Sequence, residues 1–432
     1  MTSWAQSVAV YADRRILVVL LLGFSSGLPL ALTGSTLAVW LTEDGVSLAA
    51  VGLFAMVGVP YSFKFLWAPL VDRAPVPLMT RTFGRRRGWA LTTQAALIAA
   101  LLALGASDPA ADPWTVAALA LVVAFCSASQ DIVIDAYRVE ILEESQYGAG
   151  AAAVQFGYRA AMLVSGAGAL LLAEVMAWFW VYAVMAGLVG CGALVVLASR
   201  EPVAPARLTA PPAPGLAAWA RDAFVGPFAD MLRRHGWTVA VILAFVVLYK
   251  LGDAMAGVMA NPFYIKIGFT KADIAEISKL YGFIATILGT AMGGVLVARI
   301  GIPRSLLICG VLQAVSNLMF AWQAHVGADR LWLIATIAIE NVSGGMGSAA
   351  FVAYISALCS LSYTGTQYSL LSSLAALGRT VLAAQGGYLV EAVGWIDFFL
   401  LSTVAALPGL ALLLWMMRRF PPPRAAAAAA GD

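Results

Sequence analysis

The sequence predicts an all-α integral membrane protein with twelve transmembrane helices in two pseudo-symmetric six-helix bundles. Three observations carry this: a composition too apolar for a water-facing surface, twelve apolar runs of spanning length, and short motifs that recur in register in both halves. Of 432 residues, 62% are hydrophobic and 11% are charged, whereas a soluble domain carries about 25% charged residues. Lipid must therefore solvate much of this surface.

A spanning helix needs about 20 mostly apolar residues. Charge clusters, Gly/Pro breaks and short polar loops delimit six runs in the first half, at 16–41, 49–71, 89–107, 114–138, 150–173 and 177–198. Six more follow at 236–262, 273–299, 304–324, 331–358, 364–390 and 394–417. The first run is too long for a cleavable signal, so it reads as a span. Arginines crowd one set of loops (Arg14, Arg15, Arg73, Arg81, Arg85 to Arg87, Arg200, Arg233, Arg234, Arg418). The alternate set holds Lys266, Lys271 and Arg330 with acids such as Glu43 and Asp108. The positive-inside rule then predicts that both termini are cytoplasmic.

The expected domains are residues 1–198, a linker over 199–235, residues 236–420 and a disordered tail over 421–432. The linker opens on Pro202, Pro205 and Pro211, then becomes amphipathic around Trp219, Phe224, Phe228 and Met231. It reads either as a tether or as a helix lying on the membrane surface. Gly157-Tyr-Arg159 and Gly166 in the fifth run match Leu377-Gly-Arg379 and Gly386 in the eleventh, and Ala136-Tyr137 matches Ala353-Tyr354. Parallel six-span repeats of this kind mark carriers that bind their cargo near the midplane.

Ionisable groups inside the membrane usually face a cavity and a partner. Asp131, Asp135 and Arg138 are spaced i, i+4, i+7 and share one face of the fourth run, flanked by Gln130. The tenth run has no acids at the matching places. Asp131 reads as a proton carrier, with a static Asp131–Arg159 pair as the alternative. Asp135, Asp253 and Glu340 are further proton-coupling candidates, Asp253 lying close enough to Lys250 to form a structural pair instead. Lys64, Arg159 and Arg379 are buried cations fit for an anionic cargo. Asn261, at a break expected before Pro262, joins Gln130, Tyr158, Gln367 and Gln385 as polar binding candidates. Trp40 and Trp67 offer rings for stacking on sugar faces.

At the end of the second run, Asp72 and Arg73 precede Gly84 and Arg85 to Arg87. Asp72, Arg73 and Arg138 are expected to gate the cytoplasmic side, with an Asp72–Arg138 pair, while Arg85 to Arg87 read mainly as membrane anchors. No metal or other cofactor is expected, because His235 and His325 lie far apart and Cys126, Cys191, Cys309 and Cys359 each stand alone in apolar runs. The short loops hold no acid–His–Cys constellation for an enzyme, and no feature suits a nucleic acid.

A 6+6 chain with this Asp-Arg…Gly-Arg loop resembles the major facilitator superfamily. Gly23-Phe-Ser-Ser-Gly27-Leu-Pro29, Lys64-Phe-Leu-Trp67-Ala-Pro69-Leu-Val-Asp72-Arg73, Gly84-Arg-Arg-Arg-Gly-Trp89 and Gln130-Asp131-Ile-Val-Ile-Asp135-Ala-Tyr-Arg138 resemble the AmpG muropeptide permease family. That resemblance implies proton-driven import of anhydromuropeptides across the bacterial inner membrane by a multi-pass carrier, expected to be monomeric. Related carriers of acetyl-CoA keep another large anion open as the cargo.

Overall fold

The computed structural model of the chain describes residues 4–47, 54–203 and 215–419. Most of the linker prolines, the start of the second run and the alanine tail lie outside those residues. Among the described residues, nine helical stretches are long and apolar enough to cross a membrane. They are Arg14–Glu43, Arg85–Gly105, Pro113–Ile141, Glu144–Ala173, Trp178–Ala198, Thr238–Lys266, Phe283–Ile300, Ile302–Val326 and Gly386–Arg419. A chain of short turns over 54–73 and the helices Arg330–Leu358 and Thr364–Ala383 supply the second, tenth and eleventh passes. In the last stretch the eleventh pass turns into the twelfth at Gly394, whose φ of 81° is open to glycine alone at low cost.

Several passes are interrupted, and the sequence explains where. The first breaks at Gly34. The second is a string of short helices, because Pro60 and Pro69 each sit in a first turn and deny the preceding residues a continuous ladder. The fifth carries a π-helical stretch over Val164–Gly168, and the eighth another over Ser278–Gly282. The seventh runs unbroken through Asn261 and Pro262 in the helix Leu251–Lys266, contrary to the break expected there. Its interruption falls earlier, where Thr238–Leu248 gives way at Tyr249 and Lys250. Outside the membrane, the Asp112 carboxylate caps the fourth pass, accepting from the N–H groups of Trp114 and Thr115 at 3.1 and 3.2 Å. The Thr115 hydroxyl's bond to it, with those backbone donors, holds this carboxyl below the usual range.

The chain packs as two units. One comprises Thr2–Arg234 together with Ile355–Ser373, and the other His235–Tyr354 together with Leu374–Asp432. In the first unit Leu28, Leu97, Leu101, Val123 and Met185 form a core with Tyr182 and Trp40. Trp40 is buried against the rings of Trp178 and Tyr182, each at 5.4 Å, so it is a packing residue and not an open stacking platform. In the second unit Phe263, Phe320, Phe398 and Phe399 make the corresponding core.

Glycines set the closest helix approaches. A Cβ on Gly23 would lie 2.5 Å from the Val154 carbonyl oxygen, and one on Gly27 would strike the Tyr158 carbonyl, so the first and fifth passes touch backbone to backbone. In the second unit a Cβ on Gly345 would lie 2.6 Å from the Thr286 carbonyl oxygen, which brings the eighth and tenth passes equally close. Small residues at such crossings are how helices associate in lipid, where apolar burial gives no driving force between them.

Candidate functional site

The fourth pass supplies the chemistry of the first unit. Lys64 Nζ reaches Asp135 Oδ2 at 3.4 Å, and Arg138 Nη2 reaches Asp135 Oδ1 at 3.7 Å. Asp131, one helical turn away on the same face, takes the Ser26 hydroxyl. A hydroxyl donor serves a carboxylate and accepts equally from a carboxylic acid by rotating. Tyr158 lies within electrostatic reach of both acids. Gln130 and Gln94, both fully buried, each direct an amide nitrogen toward Ser25 Oγ at 3.5 and 3.4 Å. Trp67 Nε1 donates to Ser129 Oγ at 3.0 Å, which fixes the indole beside this stripe.

A second network lies at the end of the same unit that carries the basic loops. Asp72 is 1% exposed. Its carboxylate accepts from Arg86 Nη2 at 2.7 Å, from the N–H groups of Gly365 and Thr366 at 3.1 and 2.7 Å, and from the Thr366 hydroxyl at 2.7 Å. Those two N–H groups are unpaired donors in the first turn of the helix Thr364–Ala383, where partial positive charge favours an anion. Asp72 thus caps a helix nearly 300 residues away in sequence, and the expected Asp72–Arg138 pair does not form. Arg138 instead donates to Ser356 Oγ at 3.1 Å and lies over the Tyr368 ring at 5.2 Å.

Arg86 is not a membrane anchor. Its side chain is 1% exposed and bridges Asp72 to Glu140, with Nε 3.0 Å from Glu140 Oε1. Arg85 joins Glu140 at 3.1 Å. Glu201 closes the group by accepting from the N–H groups of Arg86 and Arg87 at 2.8 and 2.9 Å, capping the third pass from beyond the sixth. Sequence reasoning passed over both Glu140 and Glu201. The signal available was their position, since each follows a span directly on the side of the arginine run. Arg73, the third expected gate residue, pairs with Asp222 of the linker at 2.7 Å.

The second unit holds its own cluster. Lys250 donates to Ser348 Oγ at 2.7 Å and lies 3.4 Å from both Asp253 Oδ2 and the Gly344 carbonyl. Glu340 accepts from Asn341 Nδ2 at 2.7 Å, and Asn341 Oδ1 accepts from Thr286 at 2.8 Å. Arg379, Asn261 and Gln385 belong to this unit and are exposed, whereas Arg159, also exposed, belongs to the first. Gln367 is 1% exposed and fully engaged by the linker: it donates to the Pro227 carbonyl at 2.9 Å and accepts from Arg234 at 3.0 Å and from Ser360 N–H at 2.7 Å. No group of three or more His, Cys, Asp or Glu among the described residues could hold a metal ion.

Over 414 residues the chain is 43% identical to the anhydromuropeptide permease of Escherichia coli K12, covering 95% of this chain and 81% of that protein. The chain belongs to the AmpG muropeptide permease family of the major facilitator superfamily. The putative transporter AmpG 4 of Rickettsia conorii is 35% identical, covering 94% of this chain and 97% of the relative. Residues 246–432 match the Major Facilitator Superfamily, and residues 15–112 match the family described as Acetyl-coenzyme A transporter 1. Among solved structures, the human organic anion transporter MFSD10 superposes with a TM-score of 0.64 at 16% identity, covering 96% of this chain and all of that one. The proton:xylose symporter XylE superposes with a TM-score of 0.64 at 11% identity, covering 97% of each chain. These likenesses show the fold: this AmpG-family chain is a multi-pass membrane transporter of the major facilitator type.

Proposed function

We propose that this transporter imports anhydromuropeptides, sugar–peptide fragments of the cell wall, from periplasm to cytoplasm by proton symport. It would work as a monomer in the bacterial inner membrane, with both termini cytoplasmic. The identity of 43% to a protein named anhydromuropeptide permease, held over 95% of the chain, is the observation that carries the substrate. A cargo with peptide carboxylates and sugar amides suits the cations Lys64, Arg159 and Arg379 and the polar groups of Gln130, Tyr158, Asn261 and Gln385.

Asp131 is our choice of proton carrier, because its neutral hydroxyl partner leaves it free to titrate while Asp135 stays bound between Lys64 and Arg138. Asp253 and Glu340 would serve as secondary proton sites. Asp72, Arg73 and Arg138 would gate the cytoplasmic side, with Asp72 holding the start of the Thr364–Ala383 helix in place. Gln367 fits that gate better than the binding surface, since its hydrogen-bonding groups are already taken.

Uptake of radiolabelled anhydromuropeptide into proteoliposomes, with and without an inwardly directed proton gradient, tests this reading. We expect accumulation only with the gradient. Equal uptake under both conditions would remove the coupling, and no uptake at all would remove the substrate. A second reading, a carrier of another large organic anion such as acetyl-CoA, is favoured by the match over residues 15–112, and competition by acetyl-CoA in the same assay would support it.

A further inference from the structure

The linker helices Leu216–Phe224 and Gly226–His235 are joined to the turn between the tenth and eleventh passes by a dense set of polar contacts, all inside the first unit. The Tyr363 hydroxyl donates to Asp222 Oδ1 at 3.0 Å, and Arg73 pairs with Asp222 Oδ2 at 2.7 Å while stacking over the Tyr363 ring at 4.8 Å. In the second of the two linker helices, Asp230 accepts from Arg234 Nε at 2.9 Å and from Gln367 Nε2 at 3.2 Å. Arg234 also donates to the Leu358 carbonyl at 3.0 Å, satisfying a carbonyl left open at the end of the tenth-pass helix. Gly226 lets the two parts meet, because a Cβ there would strike the Tyr363 hydroxyl.

We propose that the linker is a state-specific clasp: Asp222, Asp230 and Arg234 grip Tyr363, Gln367 and Leu358, and so position the start of the eleventh pass against Asp72. A mere tether needs no such contacts; here Arg221 and Arg233 stay exposed, while Asp222, Asp230 and Arg234 make side-chain contacts with the segment from Leu358 to Gln367. The Asp72 cap and the clasp hold the same segment from two sides. A carrier opening on the side of the basic loops must release both, so the clasp adds to the barrier on that half of the cycle. Asp222, Asp230, Arg234 and Gln367 are then positioning residues that act through Tyr363 and the Thr364–Ala383 helix without touching cargo. The inference rests on the gating role proposed above for Asp72 and Arg73.

The chain supplies its own reporter. Cys359 is half-buried directly after the helix end that Arg234 binds, its thiol donating to the Ile355 carbonyl at 3.2 Å. Alkylation by maleimide in inverted membrane vesicles, read at the Cys359 peptide by mass spectrometry, reports release of the segment. Asp222→Ala and Tyr363→Phe, which remove the Tyr363–Asp222 hydrogen bond, and Gly226→Ala, whose Cβ strikes the Tyr363 hydroxyl, should each raise the Cys359 rate about fivefold, the scale of one net hydrogen bond in a local opening. The double variant Asp222→Ala/Tyr363→Phe should rise no further than the stronger single, because both remove one shared contact. The melting midpoint of the purified protein controls for general loosening. Wild-type alkylation rates in all three folded variants, or rates that rise only as the midpoint falls, would overturn the clasp. The readout needs no cargo, so a failure of anhydromuropeptide uptake by the wild type would sink the substrate and leave this result standing.

Discussion

Asp131 and Asp135 sit one turn apart on one helix face yet differ in direct contacts: Asp135 pairs with Lys64 and Arg138, whereas Asp131 takes the Ser26 hydroxyl with Lys64 in electrostatic reach. Asp131→Asn should therefore abolish gradient-driven accumulation while leaving exchange of labelled for unlabelled cargo at wild-type rates, measurable in the same proteoliposomes. Retained accumulation would move the proton to Asp253 or Glu340. At Arg86 the expectation concerns stability. Its removal takes the nearer of two cations from the buried Asp72 and Glu140 and leaves Arg85 alone to serve both, so Arg86→Met should cost up to about 3–5 kcal/mol in reversible unfolding, against near-neutrality for replacing the exposed Arg81. The in-membrane acids were legible from the sequence because spacing along one helix puts them on one face. Glu140 and Glu201 were not, because their partners lie 54 and 115 residues away and no local period joins them.

Among the elements, the first and fifth passes, like the eighth and tenth, depend on missing side chains. Gly157→Leu would push its side chain into the backbone between Leu20 and Phe24, where no rotamer can yield. We expect at least the ~1–3 kcal/mol typical of overpacking, seen as a lower melting midpoint and reduced folded yield, whereas Gly187→Leu, with open space around its Cβ position, should be tolerated. Gly23, Gly27 and Gly157 were visible in the sequence as motif and repeat positions, and the structure gives them their physical reason. The breaks were less legible. Pro262 suggested an interruption, yet the helix absorbs it, while the actual gap at Tyr249 and Lys250 has no Gly or Pro to announce it. What that gap has instead is Lys250, whose ammonium finds Ser348 and a carbonyl on the tenth pass, a tertiary partner that a local reading does not see.

For the whole molecule, the twelve passes and the two-fold repeat were read directly from composition and motif register, because lipid imposes length and hydropathy on each span. Carriage of anhydromuropeptide in proteoliposomes should stop on addition of a protonophore and should resume when the pH difference is imposed again. Uptake indifferent to the protonophore would mean that the cargo gradient alone drives the carrier.

The repeat and the packing units divide the chain differently, since Ile355–Ser373 lies within the second repeat in sequence and packs with the first. This sets a rule for exchanging parts between homologues. A chimera cut at the central linker would pair one parent's Asp72, Asp222 and Asp230 with the other parent's Thr366, Tyr363 and Gln367, splitting these contacts between parents. Grafting residues 355–373 along with the first half keeps donor and acceptor from the same parent. For this chain, the part to be inherited whole at that end is a discontinuous one.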